Sequence, residues 1–245
     1  MTKINQIILN DQNDKVLSPF CQAAQHSIVQ KIEGEHQLWG RDDLEELMKK
    51  EYGQEVVDAF RKMVPYSYKS NLGRYVLLHH FGGWYFDLTI RIDSIMNVPD
   101  FAEIGAELLA FREVQKYTKT AYSMATSVLW VKDSGHPVFE KAIEFVLRNC
   151  REEYYGACPV SVSGPNLLGE AFAACRCNAD IMIGDALELT PSHQIKNKAF
   201  VLPQGFILAW NKPVAGGDIS SLGQQGTNNY NDFWRMKTVY GENLR

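Results

Sequence analysis

Asp87 stands inside an aromatic and apolar run, with Trp84, Tyr85 and Phe86 before it and Leu88 after it. A carboxylate in such company is costly to desolvate unless a cation, a hydrogen-bond donor or water meets it. The run has the residue types of a strand, and in open α/β sheets the carboxyl ends of strands line the ligand crevice, where an acid can hold a cation. A plainer role also suits it, the capping of the turn that ends the strand. Upstream, Asn71 and Arg74 are spaced by three, which puts both on one side of a helix. Arg74 is open to two readings: a structural cation paired with a neighbouring acid, or a planar donor to phosphate or sugar hydroxyls.

Positioning these groups takes a helix, a turn and a strand in succession. Leu72, Tyr75, Val76 and His79 recur at helical spacing, Gly82-Gly83 stops that helix, and WYFDLTIRI follows as a strand. The glycine pair reads as a helix C-cap and turn that positions the strand without touching a ligand. Before this unit, Ile4–Leu9 is a short strand ended by Asn10-Asp11. Ser18-Pro19 opens a helix that can run to about Ile32. His36–Trp39 is a second strand, Asp42 is the expected cap of the helix DLEELMKKEY, and Val56, Val57, Phe60 and Met63 form the face of the next. After it, strands are expected at Leu108–Phe111, Ser127–Val131, Ala199–Leu202 and Phe206–Trp210, with helices over His136–Arg151 and from Gly164-Pro165 to about Cys175. Strands interleaved with helices predict an α/β fold: a single domain over residues 1–245 with a mixed, mostly parallel central sheet flanked by helices.

The bulk composition fits this. Of 245 residues, 45% are apolar and 22% charged, enough for one sizeable core. A net charge of −4 and a pI near 5.9 argue against a nucleic-acid partner. No stretch approaches the roughly 20 apolar residues of a membrane span, and Met1–Asp11 lacks the pattern of a signal peptide, so a cytoplasmic location is expected. The five cysteines are odd in number and form no Cys-x-x-Cys pair, and Cys175 with Cys177 reads more simply as two partly buried thiols than as a metal site.

The run YSYKSNLGRYVLLHHFGGWYFDLTI resembles the core of the DXD-motif sugar transferases of glycosyltransferase family 32. INQIILND is similar to that family's opening strand, HQLWGRDDLEEL to its second strand and helix, GHPVFEKAIEFVL to a later helix, SGPNLLGEAF to its Thr-Gly-Pro turn, and NNYNDFWRMKTVYG to the tail of bacterial members. The resemblance implies a GT-A fold. It also implies retaining transfer from a nucleotide sugar, of UDP type, to a glycan or lipid-linked glycan acceptor in surface polysaccharide or lipopolysaccharide synthesis. Asn71, Arg74, Asp87 and Thr89 are its implied donor-binding residues, with Mn²⁺ or Mg²⁺ held through Asp87. Two positions depart from the pattern: Asn71 replaces an acid, and Thr89 replaces the second acid of the motif. Threonine is a weak ligand for a hard cation, so metal dependence should be looser than in an intact motif. No catalytic nucleophile is indicated.

The tail, residues 216–245, is rich in Gly, Ser, Asn and Gln over Gly216–Asn231, as a mobile loop would be. Asn228, Asn229, Tyr230 and Trp234 suit either a lid over the donor or an aromatic patch that packs the tail onto the domain. Ser163 and Gly164 begin a helix whose amides suit a phosphate or acceptor hydroxyl, or merely start the helix. His79 and His80 read as core or surface histidines. Trp39 and Trp84 suit stacking on a base or sugar, with core packing favoured for Trp84. Two other functions compete with active transfer. One is a degenerate domain that binds nucleotide or glycan without turnover, and the other a dinucleotide oxidoreductase. The latter is disfavoured because Asn10-Asp11-Gln12-Asn13 stands where a glycine-rich fingerprint belongs.

Overall fold

The computed structural model describes residues 2–93, 98–114, 118, 120–175, 179–189, 197–212 and 216–241. Local sequence explains how its elements start and stop. Ser18 caps α1 (Pro19–Val29) by accepting from the Cys21 N–H at 3.3 Å, with Pro19 in the first turn, where a missing donor is harmless. α2 (Arg41–Glu51) starts earlier than expected. Gly40 holds the cap position and donates its N–H to the Asp43 carboxylate at 2.6 Å, so Asp42 lies inside the first turn. α3 (Gln54–Lys62) and α4 (Tyr66–Phe81) follow, and α4 is buried without a break from Asn71 to Leu78.

Gly82 closes α4 at φ 67°, and Gly83, at φ 79°, turns the chain into β3 (Gly83–Phe86) beside β1 (Lys3–Ile7). A Cβ on Gly83 would lie 2.3 Å from the Lys3 carbonyl oxygen. Gly83→Ala therefore combines backbone strain with a collision against a core strand. It should cost about 2 kcal/mol or more, or roughly 4 °C or more in Tm. Thermal unfolding checks this, and an unchanged Tm would contradict so close an approach of β1 and β3.

The remaining strands are β2 (Glu35–Trp39), β4 (Leu108–Arg112), β5 (Val128–Val131), β6 (Ile181–Leu189), β7 (Asn197–Val201) and β8 (Ile207–Trp210). They form one sheet in the order β2-β1-β3-β5-β4-β6-β7-β8. The fold is α/β and the sheet mixed, as expected, but it is not mostly parallel. β1–β2, β1–β3 and β4–β6 are parallel, whereas β3–β5, β4–β5, β6–β7 and β7–β8 are antiparallel. β5 enters reversed between β3 and β4, and the closing strands make a meander, which short connections force to be antiparallel. β6 had no counterpart in the sequence reading. Gly184 and Asp185 interrupt it, and its ladder partners on both sides make it a strand.

Alternation along β3 and β5 divides the core. Tyr85, Leu129 and Val131 face the helices α2 to α4, α5 (Pro137–Glu152) and α6 (Pro165–Ala174). Trp84, Phe86, Val128 and Trp130 face the other way, against Phe101 and Phe111. Trp84 stacks on Phe86 at 5.0 Å and Trp39 donates to Asn5 at 3.0 Å, so both tryptophans serve the core. Burying each such side chain contributes about 2–3 kcal/mol. Among the described residues, no helix is long and apolar enough to cross a membrane.

Candidate active site

The expected strand through Asp87 stops one residue short of it. The ladder to β5 ends at Phe86, Asp87 adds one N–H bond to the Ser127 carbonyl at 2.9 Å, and the Ile90 N–H returns to the Asp87 carbonyl at 3.0 Å. Asp87, Leu88 and Thr89 therefore sit in a tight turn at the strand's carboxyl end. The Asp87 side chain, 35% exposed, opens on a cleft of about 460 Å³. A volume of that order suits a drug- or cofactor-sized ligand.

Arg74 approaches Asp87 from α4 with only 4% of its side chain exposed. Its Nη2 lies 3.0 Å from Asp87 Oδ1, Nη1 donates to the Thr126 carbonyl at 2.6 Å, and Nε donates to the Ser70 carbonyl at 3.2 Å. The guanidinium also lies 4.6 Å over the Tyr85 ring. Burial is the largest single influence and opposes its charge, and Asp87 together with Tyr85 and Tyr75 outweighs it, leaving its pKa above the ordinary arginine value. Of the two readings of Arg74, pairing with a neighbouring acid is the contact observed. The Tyr85 hydroxyl donates to the same Oδ1 at 2.9 Å, and burial pushes that phenol well above its usual pKa, so it stays a donor. Both contacts fall on Oδ1, which leaves Oδ2 for the cleft.

The other sequence candidates divide. Asn71 lines the cleft but is buried, and its amide donates to Ser163 Oγ at 3.2 Å. Ser163 is fully buried, and its carbonyl also receives the Tyr75 hydroxyl at 2.8 Å. It therefore docks α4 onto the turn before α6, and Gly164 and Pro165 are that turn's cleft residues. Thr89 lines the cleft at 4% exposure. Asn228 and Asn229 act on the backbone instead. Asn228 Oδ1 accepts the Tyr66 N–H at 3.1 Å, and Asn229 caps α7 (Tyr230–Met236) through the Asn231 N–H at 3.1 Å. Trp234 donates to the Tyr155 carbonyl at 2.8 Å and packs on the main core, matching the packing alternative for the tail. The tail residues at the cleft include Thr227, Tyr230 and Asn231. His79 meets the Tyr52 hydroxyl at 2.7 Å, and neither His79 nor His80 lines the cleft. Cys177 lies outside the described residues.

Sequence reasoning missed the opposite wall, which carries Glu113, Glu188, Lys198, Asn211 and Lys212. Lys198 is ion-paired with Glu113. Asn211 and Lys212 follow β8 directly, so the strand-end argument that singled out Asp87 applies to them equally.

DXD-containing glycosyltransferases commonly use a divalent metal, but the donor set here does not fit a resident one. Asp87 is engaged by Arg74 and Tyr85, Glu113 is engaged by Lys198, Glu188 stands on the wall from β6, and Thr89 is neutral. Among the described residues, no three His, Cys, Asp or Glu side chains group as metal ligands. Magnesium can be held by one or two carboxylates together with substrate phosphates, and Asp87 Oδ2 is the single carboxylate oxygen of the β3 turn left for that purpose.

A search of curated proteins found no match. The solved structure named PaToxG Glycosyltransferase aligns with 70% of this chain and 67% of its own, at 12% identity and a TM-score of 0.47. Residues 6–105 match the model of the glycosyltransferase sugar-binding region containing DXD motif. Asn71, Arg74, Asp87 and Thr89 lie inside that match, whereas the wall from β6 to β8 lies outside it. The match supports glycosyl transfer as the activity of this chain.

Proposed function

We propose that the chain transfers a sugar, with retention, from a nucleoside-diphosphate sugar of uridine type to a glycan or lipid-linked glycan acceptor. The observation that carries this is the Asp87 carboxylate, fixed on one oxygen by Arg74 and Tyr85 and opening its other oxygen onto a cleft of ligand size. In the reaction the bond from the anomeric carbon to the diphosphate oxygen breaks, and its electron pair stays on the phosphate. The acceptor oxygen bonds to the anomeric carbon, and its hydroxyl proton passes to the departing diphosphate. Negative charge grows on that leaving group, where prearranged donors stabilise it without reorganising.

In this reading Asp87 Oδ2 accepts hydrogen bonds from sugar hydroxyls. Arg74 positions Asp87, and Asn71 and Ser163 hold α4 against the Gly164 turn. Tyr230, whose pKa burial pushes up to about 12, acts as a hydrogen-bond donor in the cleft wall. Segment 216–231 serves as a lid, which Asn228 and Asn229 anchor and Trp234 seats from the adjoining helix. Manganese or magnesium has no step of its own; such an ion would reach Asp87 Oδ2 only with the donor's phosphates. The resemblance of NNYNDFWRMKTVYG to bacterial tails supports a setting in cytoplasmic surface-polysaccharide or lipopolysaccharide assembly.

Calorimetry with UDP and GDP, with and without Mn²⁺, followed by an assay of nucleotide release from the matching sugar donors, tests the reading. Micromolar binding of one diphosphate and acceptor-dependent release are expected. No binding of either under any condition would remove the basis for it.

A further inference from the structure

Three acids, Asp87, Glu113 and Glu188, line the cleft, and none of them is ion-paired with Lys212. Three cationic side chains line it: Arg74, Lys198 and Lys212. Arg74 is matched by Asp87 and Lys198 by Glu113. The Lys212 ammonium is tied instead to a neutral acceptor, the Gly216 carbonyl, which fixes it at the base of the tail segment. Lys212 belongs to the strand-end wall beyond residues 6–105, so the matched region does not include it. The β3 turn offers one carboxylate oxygen to the cleft, a poor set for a resident divalent cation.

We infer that Lys212 supplies the fixed positive charge for the donor diphosphate, so that diphosphate binding does not depend on a divalent cation. This rests on the cleft being the donor site. A lysine is a compact, rotatable point charge and suits phosphate oxygens as they shift during bond cleavage. Burial lowers the Lys212 pKa, opposed first by Asp87 and then by Cys21 and Asp218 and reinforced by Lys198, so the ammonium is incompletely compensated by its neighbours. A bound diphosphate would complete that compensation. Because Lys212 is anchored to Gly216 beside Gly217, Thr227 and Tyr230 of the same cleft, engaging the phosphates would also draw the tail segment onto the donor.

The test is calorimetry of UDP against the full chain in EDTA and in Mn²⁺, with inorganic pyrophosphate and uridine as partial probes. The wild-type protein should bind UDP in EDTA within about threefold of its affinity in Mn²⁺. Lys212→Gln should lose about tenfold or more in EDTA, the size expected for one charged hydrogen bond. Mn²⁺ should recover part of that loss, and Lys212→Arg most of it. Pyrophosphate binding should fall with Lys212→Gln, while uridine binding stays the same. Wild-type binding that vanishes in EDTA overturns the inference without any variant, and leaves the donor-site reading standing. Unchanged UDP binding by a folded Lys212→Gln protein in EDTA does the same. Failure of UDP and GDP to bind in either condition overturns both.

Discussion

Asp87→Ala should lower sugar transfer by about a hundredfold or more, in line with removal of a single prearranged polar group from an active site. The same change should also destabilise the fold, because the Arg74 guanidinium loses its partner while staying buried. Orphaning one member of a fully buried pair costs about 3–5 kcal/mol. Asp87 is partly exposed, so water replaces some of what is lost, and about 1–2 kcal/mol is expected here. Asp87→Asn separates the two effects. Its amide oxygen still accepts from Tyr85 and Arg74, so stability should largely return, whereas transfer should not. Steady-state assays beside thermal unfolding decide the matter, and wild-type transfer by Asp87→Ala with an active donor would show the site to be wrongly placed.

Arg74→Ala should be the most damaging change to the fold. It removes the donors to Thr126 and Ser70, the partner of Asp87 and the cation over Tyr85, and it leaves a void beside them. A loss of about 3–5 kcal/mol is expected, or about 10 °C in Tm for a chain of this size. Arg74→Lys keeps the charge but cannot reach all three acceptors, so it should fall between the two. Donor binding should weaken in step with stability, because Arg74 acts through Asp87. Lost binding at an unchanged Tm would show that the guanidinium touches the ligand directly.

The helix, glycine pair and strand that deliver Arg74 and Asp87 were legible because each announces itself locally. Leu72, Tyr75, Val76 and His79 keep helical spacing, Gly82 and Gly83 sit where positive φ is needed, and the aromatics of β3 follow at once. The far wall of the cleft was not legible. Lys198 and Lys212 reach it only because β6 pairs with β4 and carries β7 and β8 across the sheet, and pairing partners leave no trace in the periodicity of one chain. Ser163, Asn228 and Asn229 were singled out as polar residues near glycine and aromatic signals. Their hydrogen bonds are spent on packing and caps, a use that residue type alone does not distinguish from ligand binding. Pairing of Arg74 with an acid was open from the sequence, but that the acid is Asp87, brought back across the glycine turn, is not shown by spacing alone.

The two sides of the cleft also differ in how much chain must be closed to form them. Arg74 and Asp87 are thirteen residues apart on one helix–turn–strand unit. The tail is tied down through Gln224, whose side-chain oxygen accepts the Ser18 N–H across a separation of 206 residues. Closing the longer loop costs about 2.5 kcal/mol more in chain entropy than closing the shorter one. During folding the charged floor can therefore assemble from local contacts well before the wall arrives. A chain trapped short of the native state would carry the acid and its guanidinium without the tail residues that complete the cleft beside them.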